Sequence, residues 1–300
     1  MAYDREHDIS YLEVYDIETG ERKVLHTYDH LIEAPNWSKD GKFLTFNSAG
    51  KIYKYILETD ETIEVPSGNI VHCNNDHVLN PDGSGIAVSD NTHPEGSPWG
   101  FSSYVHIIPF DGGEPRQVTP NSPSFLHGWS PDGKTLAYCA FRDMENGGDI
   151  YTISVDGGEE TQLTNAKGLN DGPEYSSDGK YIWFNSVRTG MMQAWRMKAD
   201  GSEQTQMTFD TEWNTWFPHI SPDMKTVAMI CYKKGDLEPG EHLPHKNIEI
   251  RTMNPDGSNV KTVMAFFGGQ GTINVNSWSP CSKKFAFVSY KINEAFLDKE

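Results

Sequence analysis

The chain has 300 residues, 36% of them hydrophobic, and a formal net charge of −18. No window approaches the ~18 consecutive apolar residues of a membrane helix. A surface of this charge repels nucleic acid and anionic lipid, because phosphate binding needs neutralisation by Lys and Arg.

In chain order, residues 11–27, "YLEVYDIETGERKVLHT", read as a hairpin. Residues 36–46, "NWSKDGKFLTF", read as a strand end, a turn and a second strand. That phrase returns as "VLNPDGSGIAV" (78–88), "GWSPDGKTLAY" (128–138), "EYSSDGKYIWF" (174–184), "HISPDMKTVAM" (219–229) and "SWSPCSKKFAF" (277–287). Its aligned positions are Trp37, Leu79, Trp129, Tyr175, Ile220 and Trp278, at steps of 42, 50, 46, 45 and 58 residues. Pro suits the second position of a turn, Gly supplies positive φ, and the residues after it alternate as a strand does.

A second phrase follows five of these copies: "KIYKYILETDETIEV" (51–65), "VHIIPFDGGEPRQVT" (105–119), "DIYTISVDGGEETQLT" (149–164), "QAWRMKADGSEQTQMT" (193–208) and "IEIRTMNPDGSNVKTV" (248–263). It reads as another hairpin. Four strands per repeat of about 40 to 50 residues mark a β-propeller blade. The sixth copy has no second phrase after it, and its partner is the hairpin at 11–27. The reading is therefore all-β: a six-bladed propeller, four antiparallel strands per blade, with the N-terminal strands completing the last blade and leaving no open edge. The blades span about residues 32–73, 74–123, 124–168, 169–213, 214–272, and 273–290 with 9–31. Together they form a single domain with a tail at 291–300.

Cys73, Cys139, Cys231 and Cys281 lie far apart with no CxxC pair, so free thiols in a reducing compartment are expected. The start "MAYDREHDIS" lacks the basic, apolar and small-residue segments of a secretory signal, and a cytoplasmic location is expected, with a periplasmic one the alternative if a signal has been removed.

The run Trp-Ser-Pro-Asp-Gly-Lys at 129–134, then an apolar strand, then "IYTISVDGGEETQLT", resembles the TolB-like, WD-repeat-like propeller family. The resemblance covers about residues 9 to 290, with its cleanest copy at Trp129–Thr164. It implies the fold more strongly than any activity, since propellers host many functions. A more distant resemblance is to oligogalacturonate-lyase-type propellers, which implies a divalent metal held by histidines and a glutamine. No G-x-S-x-G nucleophile elbow is present, and no room is left for a hydrolase domain.

Short turns of the "SPDG" and "DGGE" kind fall on one face of such a ring. The connections between blades, and the loops between second and third strands, fall on the other. All histidines except His106 map to that second face or its margin. The connections deliver Asn75, Asp76, His77, His127, Asp171, Trp216, His219, Gln270 and Asn274 towards the axis as candidate ligand-binding residues. His77 and His127 share one register, two before the aligned position. Glu33, Asn75, Asp171 and Asn274 share another, four before, with Phe125 and Trp216 filling it in the other blades. His77, His127 and His219 are the candidate metal ligands, with Gln270 or Asp171 adding oxygen. Such a set suits Mn, Zn or Fe rather than Ca. The same polar groups also serve as channel lining that hydrogen-bonds strand ends.

Arg142 and Arg188, in loops on this face, are candidates to clamp a carboxylate. Trp99, Phe101, Trp213, Trp216 and Phe217 are candidates to stack on sugar rings. Two functions follow. The first is a module that binds a small polar ligand, an oligosaccharide or a peptide, with a protein partner also compatible. The alternative is a metal-dependent β-eliminase acting on oligouronides, with His127 or His219 as base and Arg142 or Arg188 holding the carboxylate.

Overall fold

The computed structural model describes residues 4–92, 102–143 and 145–297. A 3₁₀ turn at Arg5–His7 precedes β1 (Ile9–Asp16) and β2 (Arg22–Tyr28). Five sheets follow, each of four consecutive strands hydrogen-bonded in sequence order. The first is β3 (Glu33–Trp37), β4 (Phe43–Ser48), β5 (Lys51–Ile56) and β6 (Glu61–Glu64). The second is β7 (Cys73–Leu79), β8 (Gly85–Thr92), β9 (Ser102–Pro109) and β10 (Arg116–Gln117). The third is β11 (Ser124–Trp129), β12 (Thr135–Asp143), β13 (Gly147–Ser154) and β14 (Thr161–Gln162). The fourth is β15 (Asn170–Tyr175), β16 (Tyr181–Ser186), β17 (Gln193–Lys198) and β18 (Thr205–Gln206). The fifth is β19 (Trp213–Ile220), β20 (Val227–Lys233), β21 (Lys246–Met253) and β22 (Lys261–Gly268). β23 (Lys284–Lys291) then joins β1 and β2 as the sixth sheet. No helix among the described residues is long and apolar enough to cross a membrane.

The repeated phrase folds locally for a stated chemical reason. The Ser130 hydroxyl donates to Asp132 Oδ1 at 2.6 Å and accepts the Thr135 N–H at 2.9 Å, and Asp132 accepts the Lys134 N–H at 3.1 Å. The turn is thus closed by its own side chains before the strand begins. The same pattern holds at Ser38–Asp40, Ser176–Asp178 and Ser221–Asp223. In the sixth copy Cys281 replaces the aspartate, and Ser279 still accepts the Lys284 N–H at 3.1 Å.

The seam lies where the unpaired hairpin requires it. β1 pairs antiparallel with β23 over its full length, from Ile9 opposite Lys291 to Asp16 opposite Lys284. The sixth blade departs from the expected pattern at its inner strand, which is reduced to one bridge between Trp278 and Phe285. Side chains there take over backbone bonding: Asn274 Oδ1 accepts the Gly271 N–H and Asn276 Oδ1 accepts the Trp278 N–H. Asparagine competes with a ladder in this way. The core fills the spaces between blades with fully buried Trp183, Trp216, Tyr138, Tyr232, Phe46 and Phe184.

Each complete inner strand carries a bulge or register shift at its axial end: between Glu33 and Asn36, Cys73 and His77, Leu126 and Gly128, Asp171 and Glu174, and Trp216 and His219. Ala34, Gly172 and Phe217 take positive φ of 54°, 63° and 48° at these points. A Cβ on Gly172 would stand 2.7 Å from both Asn185 Oδ1 and Phe217, so glycine is required there. Bulges bend a strand and re-aim its side chains.

Deleting residues 1–28 is expected to expose the edge of β23 and give an aggregating, non-cooperative protein. Gel filtration and thermal melting check this, and a soluble truncation with a sharp transition would contradict the seam.

Candidate functional site

The re-aimed side chains converge on an axial cavity of about 450 Å³ on the connection face. Glu33 enters from the first blade, Asn74, Asn75, Asp76 and Asn91 from the second, and Phe125, His127, Cys139 and Phe141 from the third. Leu169 and Asp171 come from the fourth. The loop between β20 and β21 adds Gly240 and His242, the Gly-rich connection adds Gln270, and the N-terminal turn adds Arg5. Gly271 has φ of 90°, and a Cβ there would meet Glu33 Oε1 at 2.6 Å, so the connection passes close to the cavity wall only as glycine.

His127 is the centre of the wall. Its Nε2 lies 3.5 Å from Asp76 Oδ1 and 3.3 Å from Asp171 Oδ1, and its Nδ1 lies 3.3 Å from the Asn274 carbonyl oxygen. Burial disfavours the imidazolium, but the charges of Asp76 and Asp171 outweigh it and lift the His127 pKa to about 9. Burial likewise pushes Asp76 up, to about 6, despite the opposing pull of His127. For Asp171, burial is outweighed by the His127 charge and by hydrogen bonds, which hold the carboxyl below its usual range. His242 packs on Trp216 at 4.6 Å and edge-on to Phe217 at 5.2 Å, and burial lowers its pKa to about 4. Arg5 Nη1 lies 3.0 Å from Glu33 Oε1, and its Nη2 donates to the Gln270 carbonyl at 3.2 Å.

The structure sorts the candidates into three groups. Asn75, Asp76, His127, Asp171 and Gln270 line the cavity together. Trp216 and Asn274 stand behind the wall, Trp216 under His242 and Asn274 as the acceptor for His127. His77 and His219 lie elsewhere. His77 is fully buried between blades, neither ring nitrogen makes a hydrogen bond, and burial lowers its pKa to about 3. His219 Nδ1 meets Glu174 Oε2 at 2.5 Å and its Nε2 meets the Ile273 carbonyl at 3.2 Å, so both nitrogens serve contacts between blades.

The proposed metal set therefore does not converge. The three histidines occupy three environments, and among the described residues no group of three or more His, Cys, Asp or Glu is placed to hold a metal ion. Arg142 and Arg188 also stand outside the cavity. Arg142 is engaged with Glu160, Ser124 and the Pro123 carbonyl, and Arg188 with Gln204, Asn170 and Ser186. Trp213 packs under Arg251 instead of facing the cavity, whereas Phe217 stacks behind His127 at 5.4 Å. Trp99, Phe101 and His93 lie outside the described residues.

Sequence reasoning missed Arg5, placed His242 on this face without making it a candidate, and did not rank Glu33, although Glu33 shares the register of Asn75 and Asp171. That register was the available signal. Arg5 and His242 come from segments outside the repeat, and nothing periodic marks them.

The His127 pKa sets a stability window. Its folded value exceeds the ordinary 6.5, so its contribution is complete below pH 6.5 and is lost as pH rises through about 9. His127→Gln is expected to be less stable than wild type by about 3 kcal/mol at pH 6, with most of the gap gone at pH 10. Urea denaturation at the two pH values checks this. His219→Ala, which removes one of the three hydrogen-bond partners of the buried Glu174, is expected to lose about 1–3 kcal/mol in the same measurement.

Comparison with known proteins agrees with this architecture. The TolB beta propeller domain model matches residues 119–241. An uncharacterized protein of Agrobacterium fabrum is 44% identical over 282 residues, covering 94% of this chain and 92% of its own. The solved structure of a TolB-like protein of Agrobacterium tumefaciens superposes with a TM-score of 0.87 at 43% identity, covering 95% of this chain and 99% of that one. The Tol-Pal system protein TolB of Francisella tularensis is 36% identical over 62 residues, 21% of this chain and only 14% of that protein. An oligogalacturonate lyase in complex with manganese matches with a TM-score of 0.53 at 11% identity, over 96% of this chain and 92% of that one, a likeness of fold alone. The chain belongs to the TolB-like β-propeller family.

Proposed function

We propose that this protein is a binding propeller that takes a small polar ligand, an oligosaccharide or a short peptide segment, into its axial cavity without transforming it. The observation that carries this reading is the convergence of carboxylate, amide, imidazole and aromatic side chains from four blades on one cavity of about 450 Å³. Concave sites with a few convergent polar groups are the usual form of small-ligand pockets. The cavity has an apolar wall in Phe125, Phe141 and Leu169 and a hydrogen-bonding wall in Asn74, Asn75 and Asn91. A sugar ring or a peptide unit matches that division, and a protein partner presenting a loop would use the same contacts.

Elimination from a uronate is less well supported. The two arginines proposed to hold a carboxylate are tied into their own blades, and three carboxylates line the cavity instead. An anion entering it meets like charge in a poorly hydrated setting.

Thermal-shift screening of oligosaccharides and short peptides tests the proposal. A ligand is expected to raise the melting temperature of the wild type. Leu169→Trp, which fills the cavity from a half-buried position, is expected to abolish that rise while melting near the unliganded wild type. A rise of equal size in both proteins would place binding elsewhere.

A further inference from the structure

The cavity is short of hydrogen-bond donors. Asn75 is 6% exposed, and its amide nitrogen reaches Glu33 Oε1 only at 3.5 Å. The Asn91 side-chain oxygen is buried without a partner. Buried acceptors of this kind are normally matched, and an unmatched one calls for an explanation. Among the described residues of the wall, the two cationic groups are already committed, Arg5 to Glu33 and His127 between Asp76 and Asp171. Three carboxylates against one guanidinium and one imidazolium leave these residues with a surplus of one negative charge.

A second observation points the same way. The chain already places one cation of its own at this wall. Arg5 arrives from outside the ring, from the 3₁₀ turn before β1, and its guanidinium settles on Glu33 beside the cavity. The wall is therefore compatible with a docked cation. Phe125 and Phe141 stand edge to face at 6.1 Å on the apolar side, where aromatic faces favour an organic cation over a hydrated metal ion. The net charge of −18 adds long-range attraction for positive ligands.

We propose that the axial cavity takes a small organic ammonium ion, its N–H groups meeting Asp76, Asn75 and Asn91 and its carbon chain lying against Phe125 and Phe141. This inference rests on the binding role proposed above and names its chemical class. The ammonium group can belong to a free alkylamine or to the amino terminus of a short peptide, and the experiment separates these sources.

The test is isothermal titration of the full chain at pH 7.5 and low salt. The probes are 1,5-diaminopentane, a dipeptide with a free amino terminus, its acetylated form, glucose and galacturonate. Diaminopentane or the free dipeptide is expected to bind, and the acetylated dipeptide at least tenfold more weakly than the free one. Asp76→Asn, which keeps the side-chain shape, is expected to weaken amine binding at least tenfold. Arg5→Gln, which releases Glu33, is expected to strengthen it several-fold. That opposite sign separates ligand contact from loss of fold, and the Arg5 variant carries the test if the Asp76 variant does not fold. Glucose bound in preference to the amines would overturn the ammonium reading and leave the binding role standing, as would galacturonate. Amine binding unmoved by both substitutions would also overturn it. If no probe bound to wild type or to Arg5→Gln, the ammonium reading would fall, and the binding role would be decided by the oligosaccharide and peptide screen.

Discussion

Each inner strand of a propeller has one edge with no strand beside it, and the backbone groups on that edge must still be satisfied. Here the neighbouring blade supplies side chains for the purpose. Ser10 Oγ of the sixth blade accepts the Ile32 N–H at the entrance to the first. Asn36 Oδ1 of the first accepts the Leu79 N–H of the second, and Ser89 Oγ of the second accepts the Leu126 N–H of the third. Asn185 and Glu174 of the fourth accept the Phe217 and Ile220 N–H groups of the fifth. Asn276 of the sixth donates to both Glu174 and the Ile220 carbonyl. Each bond does what a sheet ladder would do, but across a blade boundary, so it also fixes neighbouring blades to each other.

This constraint explains why polar residues crowd the axis whether or not they touch a ligand. His219, Asn274 and Asn276 belong to the joint between blades, and Asn75, Asp76, His127 and Asp171 to the cavity beside it. The two sets occupy nearby registers in different blades. What separates them is the bulge. In the third blade the ladder steps from Leu126 to Gly128 and leaves His127 unpaired and free to face the axis. In the second blade the shift comes earlier, so His77 stays in the ladder opposite Val88 and is fully buried outside the cavity lining.

That difference marks where the sequence stops being informative. The six phrases, their spacing and the displaced hairpin determine the ring and its seam, because each is a repeated local preference. The face that carries the axial cavity followed too, because chain direction alone assigns connections to one side. The register argument failed for His77 because a one-residue displacement of a bulge moves a side chain from one face to the other, and no residue pattern announces it. Among the bulge residues only Gly172 carries a local signal. Ala34 and Phe217 reach the same left-handed backbone under tertiary constraint. Arg5, and the contact of His242 with the cavity, were illegible for a different reason. Both belong to segments outside the repeat, and their place depends on the assembled fold.

The charge of the cavity wall rests on a balance among three buried groups. Two carboxylates this close destabilise each other in a poorly hydrated wall, and the His127 imidazolium between them offsets that repulsion. Phe217, held behind His127 by the Asn185 bond to its backbone, fixes the ring plane. The inter-blade bond thus extends to the electrostatics of the site: moving Asn185 would move Phe217, then His127, then the charge on Asp76. A neutral side chain at 127 would leave Asp76 and Asp171 opposed, and the simplest relief would be protonation of Asp76 or collapse of the wall. The fold carries this local cost because its blades are tied at many other points, and the result is a polar wall whose side chains are held in place by the blades themselves.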